Sequence, residues 1–204
     1  RTTFSVYHKG DLLGEIILKV PGMYNVANAM AAVATCYELD VPFETIADGL
    51  LAYQGVSRRF EIIDTVNDVM LVDDYAHHPT EITATLQAAR SLGRRRIIVI
   101  YQPHLFSRTN DFKKDFAEAL ASADICLLTD IYPAREKPIE GVTSRLIMDE
   151  AAKTGAGNFE YVGTRDNAPE RVAAIAQPGD LIITMGAGSI TLLKPRLLEV
   201  LKQV

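Results

Sequence analysis

From residue 58 onward, short apolar runs of strand length alternate with stretches of helical periodicity. The predicted strands are 60–66, 69–73, 97–101, 125–129, 159–162 and 181–185, and the predicted helices lie near 80–92, 109–122, 143–154, 166–176 and 189–203. Several of the strands are almost continuous in Ile, Val and Leu, which is typical of strands buried on both faces of a parallel sheet. We therefore predict an α/β fold for residues 58–204, with a doubly wound, mostly parallel sheet.

The first 55 residues follow a different pattern. Residues 3–8 and 15–20 are rich in β-branched and aromatic residues and flank a turn at Lys9-Gly10-Asp11, which predicts a hairpin. A helix is predicted from Asn25, which is placed to cap it, and a second helix from about 43 to 51. This segment is short and poor in core residues, so we expect residues 1–55 to be the tail of a preceding domain. The start at Arg1 suggests a processed or truncated chain.

The net charge and the cysteine content of the chain limit the kinds of partner that it is expected to bind. The formal net charge is -5, and both nucleic acids and anionic membranes require a positive surface, so we expect no binding to either. No stretch has the length of a membrane span, and no signal peptide opens the chain. Cys36 and Cys126 lie in apolar runs without metal-ligand spacing, which predicts no metal site and favours a reducing, cytoplasmic location.

Polar residues collect where the predicted strands end. They occupy the segments that follow four strands, at 73–81, 101–109, 130–138 and 186–189, and they include three of the four histidines. Ligands of open α/β sheets bind beyond the carboxyl ends of the strands. Imidazole and guanidinium groups at that edge predict a site for an anionic ligand.

Taken singly, these residues allow two interpretations. Asp74 is equally consistent with a strand end, and His78 with a helix cap through Thr80. The N–H groups of Gly186-Ala187-Gly188-Ser189 could hold a carboxylate or phosphate, but a tight turn also requires glycine. Arg108 lies near a predicted helix start, where a cation is unfavourable, so we expect it to have an anionic partner.

Four motifs together resemble the Mur ligase family of peptidoglycan synthesis. They are Pro-Gly-x-x-Asn-Val-x-Asn-Ala at 21–29, Gly-Val-Ser-Arg-Arg-Phe-Glu at 55–61, Asp-Asp-Tyr-Ala-His-His-Pro-Thr-Glu at 73–81 and Gln-Pro-His-x-Phe-Ser-Arg-Thr at 102–109. The resemblance covers essentially the whole chain. The last two motifs together are similar to the branch of the family that adds L-alanine.

The resemblance implies a three-domain, ATP-dependent ligase in which a central domain binds ATP and a C-terminal Rossmann-like domain brings the amino acid. Residues 1–55 would end the ATP-binding α/β domain, and residues 58–204 would be the Rossmann-like domain, with a hinge at 54–57. The implied partners are UDP-N-acetylmuramate, L-alanine and ATP, with Mg2+ as cofactor held mainly by other parts of the central domain. The implied reaction passes through an acyl phosphate, and a monomer or weak homodimer is expected.

The resemblance also assigns roles to individual residues. Asn25 and Asn28 match asparagines near adenine, Arg59 an arginine that meets the ATP phosphates, and Asp74 an aspartate that reaches the ribose hydroxyls. The cluster around L-alanine and the new amide matches Tyr75, His77, His78, His104 and Arg108. Arg108, aided by the helix start at Ser189, is the candidate for the alanine carboxylate. His77, His78 and His104 are the candidates for proton transfer.

The chain departs from the family pattern at three points. Tyr24 stands where the family usually has His, and Leu105 where many L-alanine-adding members have a second arginine. No Gly-x-x-x-x-Gly-Lys-Ser/Thr loop is present in the 204 residues, so we expect the chain alone not to turn over. Two alternatives remain: a stand-alone nucleotide-binding or regulatory module that uses 186–189, and the related ligase that recycles murein tripeptide.

Overall fold

The computed structural model describes all residues, Arg1–Val204. The chain divides into two compact units, Arg1–Val56 and Ser57–Val204. We describe each unit by itself and refer to them as unit 1 and unit 2.

Unit 1 is a hairpin followed by two helices. Strands β1 (Thr2–His8) and β2 (Asp11–Leu18) pair antiparallel, and helices α1 (Met23–Glu38) and α2 (Phe43–Ala52) follow. Its small core consists of Val6, Ile16, Leu18, Val20, Ala29, Val33 and Ile46. The prediction that Asn25 caps α1 was wrong, because the helix begins at Met23 and Gly22 is its N-cap. Asn25 instead lies in the first turn and donates from Nδ2 to the Pro21 carbonyl, 2.7 Å away.

Unit 2 contains a six-stranded sheet in the order β3-β4-β8-β5-β6-β7. The strands are β3 (Glu61–Val66), β4 (Val69–Asp74), β5 (Ile97–Tyr101), β6 (Ile125–Thr129), β7 (Phe159–Gly163) and β8 (Leu181–Met185). All neighbours pair parallel except β3, which runs antiparallel to β4 at one edge. The predicted α/β class and the mostly parallel sheet are confirmed.

Helices cover both faces of this sheet. They are α3 (Pro79–Arg90), α4 (Phe106–Asp111), α5 (Lys113–Leu120), α6 (Arg145–Lys153), α7 (Ala168–Ile175) and α8 (Lys194–Leu201). On one face, the alternate strand residues Leu71, Ile98 and Ile182 pack with residues of α7 and α8. On the other, Tyr101 of β5 contacts Phe116 of α5, with ring centroids 5.7 Å apart. The strands are therefore buried on both sides, which explains their continuous apolar sequence.

Two predicted helices differ from the observed ones. The helix expected at 109–122 is interrupted at Phe112, so that α4 carries Ser107 and Arg108 and α5 begins at Lys113. The helix expected from Ser189 starts as a 3-10 segment, Ser189–Leu193, before α8. At the second of these, the N–H of Ile190 donates to Gln102 Oε1, a tertiary hydrogen bond that overrides the helical periodicity.

Leu127 offers a test of this core because it is fully buried in β6. We expect Leu127→Ala to lower the free energy of unfolding by about 2–5 kcal/mol, from lost burial and the cavity that remains. Leu192→Ala, at a side chain that is 65% exposed, is the matched control and should change it by less than about 0.5 kcal/mol. Urea unfolding followed by far-UV circular dichroism measures both, since the chain has no Trp. Equal effects of the two substitutions would contradict this assignment of the core.

Candidate active site at the carboxyl edge of the sheet

The carboxylate of Asp73 joins several elements at the end of β4. Asp73 is fully buried and accepts hydrogen bonds from the hydroxyls of Thr184 and Thr191, each at 2.7 Å. Its Oδ2 also lies 3.4 Å from Lys194 Nζ and 3.8 Å from Arg58 Nε. A buried charge is tolerated only when it is paired and hydrogen-bonded. Asp73 therefore holds β4, β8, the 3-10 segment and the turn before β3 in a defined arrangement.

Asp74 fixes the turn that carries Arg58 and Arg59. Its two carboxylate oxygens accept the backbone N–H groups of Phe60 and Ala76, both at 2.7 Å. Burial raises the pKa of Asp74, and these hydrogen bonds act in the opposite direction. Asp74 is only 3% exposed, so in this conformation it serves as an internal anchor.

The two neighbouring arginines are placed differently. Arg58 is drawn inward, where Nη2 donates to the Gly186 carbonyl at 2.6 Å and its guanidinium lies over the Tyr75 ring. The side chain of Arg59 is half exposed, and its Nη1 lies 3.9 Å from Glu81 Oε1. Arg59, the residue predicted to meet phosphates, is thus the one of the pair that remains accessible.

His77 lies between aromatic and acidic groups. Its ring contacts Tyr75 and His104 edge-on, with centroid distances of 5.3 and 6.0 Å. Its Nδ1 is 3.0 Å from the Tyr75 carbonyl and 3.2 Å from Glu81 Oε2. The loops after β4 and β5 therefore bring two imidazoles together.

His78 has a structural role instead. It is the N-cap of α3, and its Nδ1 accepts the backbone N–H of Thr80 at 3.4 Å. Glu81 completes a capping box by accepting the backbone N–H of His78 at 3.2 Å. The His78 ring also packs against Phe112, 5.1 Å away. These contacts favour the helix-cap interpretation of His78 over a part in proton transfer.

The segment after β5 contributes His104 and Arg108. The His104 ring stacks on Tyr132, with centroids 5.7 Å apart, and its Nδ1 is buried without a hydrogen-bond partner. Burial lowers the pKa of His104, and the positive charges of Arg108 and His77 lower it further. His104 is therefore a neutral imidazole near pH 7.

Arg108 lies on α4 with its guanidinium directed into the protein. Its Nη1 is buried and has no hydrogen-bond partner, and the hydroxyl of Tyr101 is in the same state. Buried donors without partners are rare in folded proteins and indicate a place where a ligand or solvent completes the bonding. No carboxylate pairs with Arg108, so the anionic partner expected for it does not come from this chain.

Glu136 stabilises the start of α4. It accepts hydrogen bonds from the backbone N–H and the hydroxyl of Ser107, which lower the pKa of Glu136. A carboxylate at a helix start also complements the helix dipole. The loop after β6 thus anchors the helix that carries Arg108.

The glycine turn after β8 packs tightly against the loop after β5. A Cβ at Gly186 would lie 2.6 Å from the Gln102 carbonyl oxygen, and one at Gly188 would lie 2.5 Å from Gln102 Oε1 and 2.6 Å from Tyr132 Cγ. The N–H of Gly186 donates to Asp74 O and that of Ile190 to Gln102 Oε1. A helix does start at Ser189, as predicted, but its first five residues form a 3-10 segment that leads into α8. Close packing accounts for these glycines, without a dinucleotide-binding turn.

Unit 1 holds a separate cavity of about 300 Å³. It is lined by Leu18, Val20, Asn25, Asn28, Ala29, Ala32, Gly49, Leu50 and Tyr53. Asn28 is exposed and its carboxamide makes no hydrogen bond within the chain, whereas Asn25 is bonded to Pro21. An apolar cavity with one or two carboxamides suits a flat heterocycle that both donates and accepts hydrogen bonds.

Neither a metal centre nor a membrane helix is found. No group of three His, Cys, Asp or Glu side chains lies close enough together to hold a metal ion. None of the helices combines the length and apolar content that crossing a membrane requires.

Fold and site define a doubly wound α/β domain whose loops gather imidazole and guanidinium groups at the carboxyl edge of the sheet. The chain belongs to the Mur ligase family: the family described as "Mur ligase, glutamate ligase domain" matches residues 58–188. The family to which the sequence motifs pointed is thereby confirmed.

Several relatives cover nearly all of the chain. It is 46% identical over 201 residues to the UDP-N-acetylmuramate–L-alanine ligase of Geotalea uraniireducens, and the aligned region covers 98% of this chain and 44% of that protein. The UDP-N-acetylmuramate–alanine ligase of Thermotoga maritima superposes with a TM-score of 0.74 at 31% identity, covering 91% of this chain and 39% of that one. A murein peptide ligase of Psychrobacter arcticus superposes with a TM-score of 0.68 at 28% identity, and the match covers 99% of this chain and 42% of that one. The chain thus spans less than half the length of these relatives.

Asp74→Asn tests the anchoring of the arginine turn. The two carboxylate oxygens of Asp74 each accept one backbone N–H, whereas the amide of Asn has a single acceptor oxygen. One of the two hydrogen bonds is therefore lost, and we expect the free energy of unfolding to fall by about 1–3 kcal/mol. Asp149→Asn, at an exposed aspartate without hydrogen bonds, is the control. Chemical unfolding of the two variants decides the matter. A loss no larger than that of the control would mean that Asp74 does not hold the turn.

Proposed function

We propose that this chain is part of an ATP-dependent ligase that joins L-alanine to UDP-N-acetylmuramate through an acyl phosphate. Unit 2 brings the amino acid, and unit 1 is the end of the ATP-binding domain. The observation that carries the proposal is Arg108, a guanidinium with a buried, unpartnered Nη1, whose charge acts on His104, the imidazole that contacts His77. The site therefore combines a receptor for a small carboxylate with groups able to accept a proton.

Arg108 binds the carboxylate of L-alanine in this proposal. A guanidinium recognises a carboxylate through paired, charge-assisted hydrogen bonds. Leu105, which is the N-cap of α4, supplies no second charge, so Arg108 provides most of the recognition. Ser189, with its hydroxyl 3.5 Å from Gln102 Nε2, is the further polar group assigned to the amino-acid site.

His77 and His104 lie where the amine would attack. The amine of L-alanine must lose protons as it forms the amide, and a neutral imidazole nearby can accept one. The low pKa of His104 keeps that ring neutral. Tyr75 contacts His77 and carries the guanidinium of Arg58 on its ring, which fixes the wall of the site. His78 is assigned here to the helix cap.

The ATP contacts proposed for this chain are the cavity of unit 1 and Arg59. Adenine is assigned to the mainly apolar cavity of about 300 Å³ whose lining includes Asn25 and Asn28. Arg59 supports binding of the ATP phosphates because its guanidinium is accessible. In this proposal Asp74 acts mainly on Arg59, because its hydrogen bond from the Phe60 N–H fixes the turn that carries Arg59. A contact between Asp74 and the ribose of ATP would require that turn to open.

No group of three His, Cys, Asp or Glu side chains in this chain could hold a metal ion by itself. A magnesium ion that neutralises the ATP phosphates would be held by residues outside the 204 described here. A cytoplasmic location follows from the proposed substrates and the free cysteines Cys36 and Cys126.

Two other functions are less well supported. A dinucleotide-binding module requires its glycine turn after the first strand of the sheet, whereas residues 186–189 follow β8, the last strand. The murein-recycling ligase shares the fold, and the Gln-Pro-His-x-Phe-Ser-Arg-Thr segment at 102–109 favours L-alanine over a peptide.

The first prediction from this proposal concerns the chain alone. Without a phosphate-binding loop of backbone N–H groups and a lysine, the 204 residues should release no phosphate from ATP in the presence of UDP-N-acetylmuramate and L-alanine. A coupled phosphate assay measures this, with the Geotalea uraniireducens ligase as the active reference. Turnover dependent on both substrates would refute the proposed division of labour.

The second prediction uses a chimera in which this chain replaces the corresponding part of the Geotalea uraniireducens ligase. We expect phosphate release that depends on L-alanine. Arg108→Lys should raise the KM for L-alanine at least about tenfold with a smaller change in kcat, since lysine loses the two-pronged contact with the carboxylate. Arg90→Lys is the control and should leave the KM unchanged, because Arg90 lies at the end of α3 and forms an ion pair with Asp124. An Arg108→Lys chimera with native KM would exclude the carboxylate assignment.

A further inference from the structure

The hydrogen bonds of His77 define which of its ring nitrogens carries the proton. Nδ1 lies 3.0 Å from the Tyr75 carbonyl oxygen and 3.2 Å from Glu81 Oε2. Both neighbours are pure acceptors, so Nδ1 must be the donor. In the neutral ring the lone pair is then on Nε2, and no group of the chain donates a hydrogen bond to Nε2.

Glu81 is held firmly in the place that this requires. It lies in the first turn of α3, and its Oε2 also accepts the backbone N–H groups of His77 at 2.9 Å and His78 at 3.2 Å. The carboxylate therefore cannot rotate away from the imidazole without breaking the capping box. The second carboxylate oxygen, Oε1, lies 3.9 Å from Nη1 of Arg59, the one cation paired with Glu81 there.

Aromatic rings and one carboxylate contact the His77 ring directly. Tyr75 and His104 contact its edge, and Arg58 and Arg59 lie over the Tyr75 ring. Arg108 and Glu136 act on the neighbouring His104. Glu81 is thus the carboxylate in direct contact with His77, and its negative charge stabilises a positive imidazolium.

We propose that Glu81 is a positioning residue that keeps His77 in the Nδ1–H form, so that Nε2 receives the proton of the attacking amine. The inference rests on the proposed ligase function. The nitrogen lone pair forms the C–N bond to the acyl phosphate, the electrons of the C–O bond leave with phosphate, and one N–H proton passes to Nε2. The resulting imidazolium carries its charge beside Glu81.

The first test reads the tautomer directly in the 204-residue chain. Long-range 15N–1H correlation spectra at a pH where His77 is neutral should show Nδ1 protonated and Nε2 bare, with the signal assigned by its loss in His77→Gln. The chain has four histidines, so assignment is tractable. An Nε2–H tautomer would overturn the proposal whether or not the chimera is active. A dead chimera with the Nδ1–H tautomer would instead count against the proposed function.

The second test separates positioning from helix capping in the active chimera. Glu81→Gln retains a capping box, because Gln serves there as Glu does, but it removes the charge beside His77. We expect kcat to fall at least about tenfold, with the KM for L-alanine changed less than about twofold and the urea midpoint unaltered.

Glu170→Gln is the matched control for this substitution. Glu170 lies in the first turn of α7 and pairs with Arg196, so the variant also removes a carboxylate from a helix start. Its kcat should equal that of the unaltered chimera. Native kcat in Glu81→Gln, or a loss confined to KM or stability, would show that Glu81 is only a helix cap.

Discussion

The buried carboxylate of Asp73 is the interaction on which the site of unit 2 depends. A charge removed from water needs several polar partners, and here they come from four parts of the chain: hydrogen bonds from Thr184 on β8 and Thr191 in the 3-10 segment, and the positive charges of Lys194 on α8 and Arg58 before β3. Removing any of these partners would leave the charge under-compensated. The glycine turn, the arginine turn and the end of β4 are consequently fixed relative to one another, and Tyr75, His77 and Glu81 follow directly from that fixed strand end.

Against this satisfied network, the few unsatisfied atoms are informative. Four buried side-chain atoms lack a partner, and three of them, Nη1 of Arg108, Nδ1 of His104 and the hydroxyl of Tyr101, come from the end of β5 and the segment after it. The fourth is Nε of Arg58, whose Nη2 donates to two carbonyl oxygens, those of Gly186 and Gly188. The concentration of three unpartnered atoms in one segment at the sheet edge is the pattern of a binding site.

The fold could be predicted almost completely from the sequence, because buried strands and amphipathic helices have distinct periodicities. The exceptions are local. The start of α4 is bonded to Glu136, and the turn before Ser189 packs against Gln102 and Tyr132, which are distant in sequence. At the site, the motifs identified the loops but not the partners. The sequence does not distinguish Asp73 from the neighbouring Asp74, because the partners of Asp73 lie on elements distant in sequence. The contact of Glu81 with His77 is likewise not predictable from the motif, because it depends on the orientation of the His77 ring.

Backbone strain at the same loops explains how the arrangement stays rigid. Arg58, Phe60 and Leu105 all have positive φ values, of 60, 47 and 73°, which side-chain-bearing residues rarely adopt. Each is held by a bond from another loop: Tyr75 N donates to Arg58 O, Phe60 N to Asp74, and Leu105 N to Tyr132 O. Strain of about 1–3 kcal/mol per residue persists only where the surroundings over-determine the backbone. These bonds join the turn before β3 to the end of β4, and the loop after β5 to the loop after β6. The loops that carry His77, His104 and Arg108 are therefore tied to their neighbours, and a ligand meets donors that need little rearrangement to bind it.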